Sequence, residues 1–409
     1  MTTLGDITAP KIEQSGPPTT GEFTYIDISS VDNKAKRIVE PKRLPGDVAP
    51  SRARQRLVAG DVLVSMTRPN LNAVAFVPSE LDGAIGSTGF HVLRANESTE
   101  PLWLYYAVQN RSFVQAMSDV VQGALYPAVR PKDIRAFEVD PPPVEEQRRI
   151  VAEIEMQFSR LDEALANLKR VKANLKRYKA SVLQAATRGD FMTNRVRGRE
   201  GELPPQWRRL TVEQLASPEP RSIQSGPFGS NLKHSEFQAA GRLVIGIDNV
   251  QDGEFSGGSD HRISEAKFAE LVKYAARPRD VLITVMATVG RVCVVPTQIE
   301  PAIITKHVYR ITVNRELGLP EYVAIALRGA SEVRAQLLGS VQGQTRPGLN
   351  GTLIKQIKIP LPPLAEQERI VAEVDRRLSI AREVEAEVEA NLKRAQALRQ
   401  SILAAAFAG

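Results

Sequence analysis

The sequence predicts an α+β protein that is built twice, as two globular α/β domains joined by two long antiparallel coiled-coil helices with an internal pseudo-two-fold repeat. Three observations predict this fold: a repeat that covers nearly the whole chain, short β-type runs in each half, and two long heptad patterns. The chain has 409 residues, of which 42% are hydrophobic and 25% charged. This composition is typical of a folded globular protein and excludes a disordered one.

The repeat is clearest where the two halves keep a constant offset. Residues 142–153 match residues 362–373 at an offset of 220, and the five residues 149–153 recur unchanged as 369–373. Further upstream the offset is 219, where Asp61-Val62-Leu63 matches Asp280-Val281-Leu282. A register kept over this distance indicates a duplication, so the chain is one structural unit used twice.

Each half opens with a region that mixes short apolar runs and helical patterns. Strands are predicted at 23–28, 62–66, 74–77, 281–285 and 292–295. Helices are predicted at 102–113 and 321–338. The pattern therefore predicts compact domains over residues 1–144 and 205–364, with a linker at 191–204.

A long helix follows each domain, predicted at 145–190 and at 365–409. A Pro-rich stretch precedes each helix, and apolar residues then recur at alternating steps of three and four, which is typical of a coiled coil. The predicted seam is Ile154, Phe158, Leu161, Leu165, Leu168 and Leu175 in the first helix, and Val374, Leu378, Val388, Leu398 and Ile402 in the second. At 1.5 Å per residue the first helix is roughly 60–65 Å long. The first helix carries the chain from the first domain to the second. If the two helices pack along their length, the second helix must run back toward the first domain, so we expect an antiparallel pair.

The net charge and the cysteine content bear on the class of partner and on the cellular compartment. The net charge of +7 is uneven: residues 1–144 hold 15 basic and 16 acidic side chains, whereas residues 191–364 hold 22 and 16. This excess permits a nucleic-acid partner without requiring one. The only cysteine, Cys293, rules out an internal disulfide and favours a reducing compartment. No signal-peptide pattern and no apolar run of about 18 residues occurs, so we expect a cytoplasmic protein with no membrane partner.

Two similar domains in inverted orientation suit a target that has its own two-fold axis. Double-stranded DNA read as two half-sites is the commonest such target, and an adaptor that clamps two protein partners is the alternative. Polar and basic side chains at predicted loop tips could bond base edges or phosphates, although such side chains are also common as solvated loop residues. These candidates are Arg68, Asn70, Asn72, Gln122 and Arg130 in the first domain, and Lys233, Thr288, Arg291, Lys306, Gln342, Gln344, Arg346 and Asn350 in the second.

Motifs for catalysis, metal binding and cofactor binding do not emerge from the sequence. Asp140-Pro141-Pro142-Pro143 resembles the signature of N6-adenine methyltransferases, but Pro143 stands where an aromatic ring would stack on a flipped base. No glycine-rich phosphate-binding loop follows a predicted strand. The four histidines have no metal-ligand spacing with Cys293. The sequence therefore predicts no catalytic residue, no metal site and no cofactor bound by this chain.

Two domains, each followed by a helix that opens Pro-Pro-x-x-Glu-Gln-x-Arg-Ile-Val-Ala-Glu, resemble the specificity subunit of type I restriction-modification enzymes. The stretch Leu203-Pro204-Pro205-Gln206-Trp207 resembles the usual start of a second target-recognition domain, and the first domain departs from the family in lacking this lead-in. The resemblance covers the whole chain.

The resemblance implies a non-catalytic subunit in which each target-recognition domain reads one half of an asymmetric bipartite DNA site. It implies that the helices fix the unread gap and dock two modification subunits, which gives exposed helix residues a candidate docking role: Arg148, Lys169, Arg376 and Arg394. The modification subunits would methylate adenine N6 with S-adenosylmethionine. Two restriction subunits would complete an endonuclease that depends on ATP and Mg.

Overall fold

The computed structural model describes residues 2–121, 127–191, 203–257, 261–339 and 349–407. The chain forms two compact units. Unit 1 comprises Met1–Lys169 and Glu389–Gly409, and unit 2 comprises Arg170–Val388. Each long helix therefore contributes one part to each unit. No helix in the described ranges is both long enough and apolar enough to cross a bilayer.

The first half of the chain contains eleven strands and four α-helices among its described residues. In chain order they are β1 (Thr2–Thr3), β2 (Glu22–Ile26), β3 (Val31–Asp32), β4 (Arg37–Ile38), β5 (Lys42–Pro45), β6 (Ala53–Arg56), β7 (Val62–Ser65), β8 (Val74–Phe76), β9 (Ile85–Ser87), β10 (Phe90–Leu93), α1 (Pro101–Ala107), α2 (Arg111–Val120), α3 (Pro131–Arg135), β11 (Glu138–Val139) and α4 (Val144–Arg188).

The second half repeats this order with small additions. Its elements are β12 (Arg208–Thr211), α5 (Val212–Leu215), β13 (Ile223–Ser225), β14 (Arg242–Ile245), β15 (Val250–Gln251), β16 (Glu254–Phe255), β17 (Arg262–Ile263), α6 (Glu265–Leu271), β18 (Ala275–Ala276), β19 (Val281–Thr284), β20 (Val292–Val294), β21 (Ala302–Ile304), β22 (Val308–Ile311), α7 (Pro320–Gly329), α8 (Ser331–Gly339), α9 (Gly351–Gln356), β23 (Lys358–Leu361) and α10 (Leu364–Ala406).

The sheets show that the two halves share one topology. In unit 1 a three-stranded sheet has the order β10-β7-β8, and in unit 2 its counterpart is β13-β22-β19-β20. A second sheet has the order β5-β2-β9-β6 in unit 1 and β17-β14-β21-β18 in unit 2. The inner pair of this second sheet is parallel in both units, β2 with β9 and β14 with β21. The predicted duplication and the predicted α+β class are both confirmed.

Two predicted helices are each broken into two. The helix predicted at 102–113 divides between α1 and α2, because the Asn110 side chain accepts a hydrogen bond from the Ser112 N–H and starts a new helix. The helix predicted at 321–338 breaks at Ala330, which has an extended backbone. Just before this break, Gly329 lies against α4, where a Cβ would be 2.5 Å from the Cβ of Leu183. A side chain at this position would push α7 away from α4.

The entry to each long helix is fixed by a buried glutamine. The Gln147 amide donates to the carbonyl oxygens of Pro142 (2.8 Å) and Ser98 (3.2 Å), and its oxygen accepts from the Glu100 N–H at 2.8 Å. In unit 2, Gln367 makes the equivalent three bonds, to Pro362, Leu317 and Leu319. Both glutamines are fully buried. The repeated Pro-Pro-x-x-Glu-Gln sequence is therefore the hydrogen-bonded junction between helix and domain.

The long helices are antiparallel within each unit, as predicted. In unit 1, Arg399 of α10 donates to Asp162 of α4 at 2.9 Å, while the later residue Leu403 shares a core cluster with the earlier Ile154. In unit 2, Lys179 forms an ion pair with Glu385, and the guanidinium of Arg377 lies 4.5 Å from the ring centre of Phe191.

The predicted seam is buried at some positions and exposed at one. Ile154, Phe158 and Leu161 are buried on α4, as are Val374, Leu378 and Val388 on α10; Leu165, Leu168, Leu175 and Ile402 are half-buried. The prediction for Leu398 is wrong, because this side chain is 50% exposed. Near its end α10 packs on the core of unit 1, and Leu403 is part of that core. The guanidinium carbon of Arg399 lies 4.2 Å from the ring centre of Phe158. Packing against the core of unit 1 therefore determines which face of α10 is buried near the end of this helix.

Candidate nucleic-acid interface

In unit 1, three chain segments meet where β7 ends. The N–H of Met66 donates to the Gly89 carbonyl at 3.0 Å, and the carbonyl of Met66 accepts from Val129 at 2.9 Å. The N–H of Arg68 donates to the Pro127 carbonyl at 2.9 Å. These bonds join the loop between β7 and β8 to the segment that precedes α3. The structure thereby brings the predicted residues Arg68, Asn70 and Arg130 to one end of the domain.

The loop after β7 presents polar side chains to solvent. Arg68 has a left-handed backbone with φ of 50°, and Pro69 is buried beneath it at the start of a short 3-10 helix. Arg68 and Asn70 are exposed, and their side chains make no hydrogen bond or ion pair within the described ranges. Arg130 is also exposed and lies 3.3 Å from the carboxylate of Asp133. Arg68 and Asn70 are thus free to bind an external partner.

Asn72 does not fit the predicted role of a base-contacting side chain. The residue is only 9% exposed and has a left-handed backbone with φ of 44°. Its carbonyl oxygen accepts a hydrogen bond from the Lys36 ammonium. Burial lowers the pKa of Lys36 to about 8. Asn72 therefore closes the loop and anchors it to the domain.

Unit 2 repeats this arrangement at the end of β19. The N–H of Val285 donates to the His307 carbonyl at 3.0 Å, and its carbonyl accepts from Leu349 at 3.0 Å. The loop between β19 and β20, the turn before β22 and the segment before α9 therefore meet. The structure brings the predicted residues Thr288, Lys306 and Asn350 to this end.

The side chains at this end differ from those of unit 1. Lys306 is exposed and makes no side-chain bond within the described ranges. The Asn350 oxygen caps α9 by accepting from the Leu353 N–H at 2.9 Å. Arg291 donates to the Gln251 side chain at 3.1 Å. The same scaffold thus carries different side chains in the two units.

The remaining candidates are placed less fully. Lys233 is exposed, and its N–H donates to Glu236 at 2.6 Å within its own short helical turn. Gln122, Gln342, Gln344 and Arg346 lie outside the described residues.

Large exposed apolar side chains in and near these loops were not among the residues predicted from the sequence. Leu71 is 44% exposed beside Asn70, and Met286 is 38% exposed beside Thr288. Phe228, which follows β13, is 58% exposed. The sequence alone does not show that an apolar loop residue is exposed. Its exposure becomes evident only when the tertiary structure shows that the loop lies outside the core.

The exposed faces of the long helices carry paired charges. Arg148 lies 2.7 Å from Glu145, and Arg376 lies 2.9 Å from Glu373. Hydrogen bonds from Arg376 and Arg377 lower the pKa of Glu373 to about 2. Arg394 donates to Asn391 at 2.9 Å, and Lys169 is exposed. All four predicted docking residues are therefore exposed on the long helices.

His91 of β10 gives unit 1 a pH-dependent stability. Burial, and secondarily the nearby charge of Arg135, lowers its pKa from 6.5 to about 4. The unfolded chain therefore binds the proton more tightly, so the stabilisation is fully present above pH 6.5 and is lost as the pH falls toward 4. Between pH 7 and 5 we expect unfolding free energy to fall by about 2 kcal/mol from this group.

The measurement is urea unfolding at pH 7 and pH 5 for the wild type and His91→Gln. His307, whose pKa is also lowered by burial, leaves a residual dependence of the same sign in both proteins. An unchanged pH dependence in the variant would contradict the assignment to His91.

Known proteins with similar sequences are specificity subunits of type I restriction enzymes. The family model for the type I restriction modification DNA specificity domain matches residues 257–394. The EcoBI specificity subunit of Escherichia coli is 27% identical over 279 residues, which cover 66% of this chain and 57% of that protein. The EcoKI specificity subunit of Escherichia coli strain K12 is 25% identical over 327 residues, covering 78% of this chain and 67% of that protein. The chain thus spans less than two thirds of the EcoBI subunit.

Solved structures match over almost the whole chain. A chain from a study of complex assembly and conformational transition of the type I R-M system superposes with a TM-score of 0.80 and 28% identity, covering 99% of this chain and 96% of that one. The HsdS subunit from Thermoanaerobacter tengcongensis has a TM-score of 0.61 and 28% identity, covering 100% and 96%. With its duplicated domains, paired long helices and repeated helix entry, the chain is similar in sequence and in fold to the specificity subunits of type I restriction-modification systems.

Proposed function

We propose that this chain is the non-catalytic subunit that selects the DNA sequence in a type I restriction-modification complex. Each unit binds one half of a bipartite, asymmetric site in double-stranded DNA. The observation that carries the proposal is the equivalent meeting of strand ends and helix starts in both units, with different side chains at the loop tips. One scaffold with two sets of tips suits two different half-sites.

The side chains that we assign to DNA contact are those presented at these ends. They are Arg68, Asn70 and Arg130 in unit 1, and Lys306 and Asn350 in unit 2. The predicted residue Thr288 is not among them, because its hydroxyl oxygen is buried. Arginine and asparagine can make paired hydrogen bonds with guanine and adenine edges, and lysine binds guanine or phosphate. The exposed Leu71 and Met286 add apolar surface for a thymine methyl group.

The long helices set the gap between the half-sites and dock two modification subunits. The resemblance to type I specificity subunits assigns S-adenosylmethionine to those modification subunits, and ATP and Mg to two restriction subunits. We also propose a cytoplasmic location, which the proposed DNA partner and the single, buried cysteine support. Burial raises the pKa of Cys293 to about 12, which suits a packing role.

The test is to co-express this chain with an adenine methyltransferase subunit from the same genome and to map N6-methyladenine by long-read sequencing. We expect a single two-part motif with a fixed gap. Replacing residues 1–140 with the corresponding domain of a relative should alter one half of the motif and leave the other half and the gap unchanged. Co-purification of the methyltransferase without any methylated motif would instead favour an adaptor that clamps protein partners.

A further inference from the structure

Unit 2 contains a cavity of about 200 Å³ beside the loop that joins β19 and β20. Its polar wall is formed by Arg291, Arg328, Arg334 and Asp252, and its apolar wall includes Leu327 and Leu337. The loop residues that border the cavity are Val289 and Gly290. The same loop carries Thr288, so the cavity adjoins the candidate nucleic-acid interface.

The charged side chains that line this cavity are mostly basic. They are three guanidinium groups and the carboxylate of Asp252, and the carboxylate of Asp375 also interacts electrostatically with Arg328. Arg328 uses Nε and Nη2 to bind Asp252, at 3.0 Å to the carboxylate and 3.1 Å to the carbonyl. Arg291 bonds only the neutral side chain of Gln251, and Arg334 is exposed without a side-chain bond to any described residue. Two of the three guanidinium groups therefore have no anionic partner.

The turn between β15 and β16 fixes one of these arginines. Gly253 has a φ of 97°, which favours glycine, and its N–H donates to the Val292 carbonyl at 2.8 Å. A Cβ at this position would lie 2.3 Å from Nη2 of Arg328. The guanidinium of Arg328 therefore packs directly on the glycine backbone, and its Nη1 is left without a described partner.

Unit 1 does not have this charge. Ala73, just before β8, is equivalent to Arg291, just before β20, because the carbonyl oxygen of each accepts a hydrogen bond from the equivalent N–H, that of Ser65 or Thr284. The repeat offset of 219 aligns Gln109 with Arg328, and the starts of α2 and α8 align Val114 with Arg334. Three uncharged positions in one copy are arginine in the other. The cavity thus accounts for part of the greater positive charge of the second half.

We propose that Arg291, Arg328 and Arg334 bind one phosphate of the DNA backbone next to the half-site read by unit 2. This inference rests on the proposed function. A phosphodiester has two non-bridging oxygens that match the paired N–H groups of arginine. The continuity of the cavity with the Thr288 loop favours DNA over a carboxylate of a protein partner. A phosphate held here would fix the register of the loop on the duplex without reading a base.

The test uses the full chain in complex with its co-expressed modification subunits and a duplex that carries the mapped methylation motif. The double variant Arg291→Gln, Arg334→Gln should bind about 3- to 10-fold more weakly at low salt. Its slope of log binding constant against log salt should be shallower by about 1. Arg315→Gln is the matched control for each substitution, since it removes the same charge from an exposed site beyond the opposite end of β22.

A scan of neutral methylphosphonate linkages locates the contact. One linkage should weaken binding by the wild type and by Arg315→Gln more than it weakens binding by the double variant, which keeps only Arg328 at this contact. The inference is overturned if the double variant has the same slope and linkage sensitivity as the control, or if it loses the modification subunits instead of DNA affinity. If the wild type methylates no motif, the proposed function itself has failed.

Discussion

Replacing Leu403 with alanine should lower the unfolding free energy of unit 1 by about 2–5 kcal/mol, which is the range for a leucine removed from a packed core. Leu403 is 1% exposed and lies in the same cluster as Val151, Ile154 and Phe158. These residues come from α4, roughly 250 residues earlier in the sequence. The cavity left by the substitution would therefore weaken the attachment of the last turns of α10 to unit 1.

Leu398→Ala is the matched control, because it removes the same side chain five residues earlier on α10, where it is 50% exposed. This control should cost less than about 1 kcal/mol. The measurement is urea unfolding followed by tryptophan fluorescence in a Trp207→Phe background. The remaining Trp103 lies 5.4 Å from Phe407 between ring centres, within unit 1. Equal losses from the two alanine variants would contradict the packing described for this helix.

Replacing Gln147 with leucine should destabilise unit 1 by about 2–4 kcal/mol. The change keeps much of the side-chain volume but removes three hydrogen bonds, to Ser98, Glu100 and Pro142. The backbone groups that lose their partner then pay the desolvation cost of burial, about 1–3 kcal/mol for each fully buried group. Gln367→Leu should have a similar effect on unit 2.

The control for Gln147→Leu is Gln157→Leu on the same helix. Gln157 bonds only the Glu153 side chain, at 2.6 Å, on an exposed part of α4. Its replacement should change the unfolding free energy by less than about 0.5 kcal/mol. The same fluorescence assay compares the two variants, and a similar midpoint shift for both would show that the buried amide is not the junction that holds the helix.

The arrangement of two similar domains could be predicted from the sequence because the duplication indicates which segments of the two halves are equivalent. The offset between Asp61 and Asp280 predicts equivalent strands, and β7 and β19 occupy equivalent places in their sheets. The breaks at Asn110 and Ala330 were not predicted, because a capping side chain and a close helix approach outweigh helical periodicity. Leu398 was assigned to the seam because a heptad pattern cannot distinguish a helix partner from a domain core.

For the candidate site, the sequence indicated which loops to consider but not which side chains they present. Arg68 and Asn70 are exposed as expected, whereas Asn72, two residues later, is buried by the left-handed turn of the same loop. The arginine group around the unit 2 cavity was only partly predicted. Arg291 was a candidate, but Arg328 and Arg334 lie on helices about 40 residues away in sequence, and only the tertiary structure brings them together.

The composition of unit 1 also bears on the order of events during synthesis. Its core includes Leu403, so unit 1 cannot complete its packing until Leu403 has left the ribosome. Unit 2 is continuous in sequence from Arg170 to Val388 and can finish its core earlier. The first half of the protein to be translated is therefore the last to be closed. A chain cut short before Leu403 would leave the core around Val151 and Ile154 incomplete.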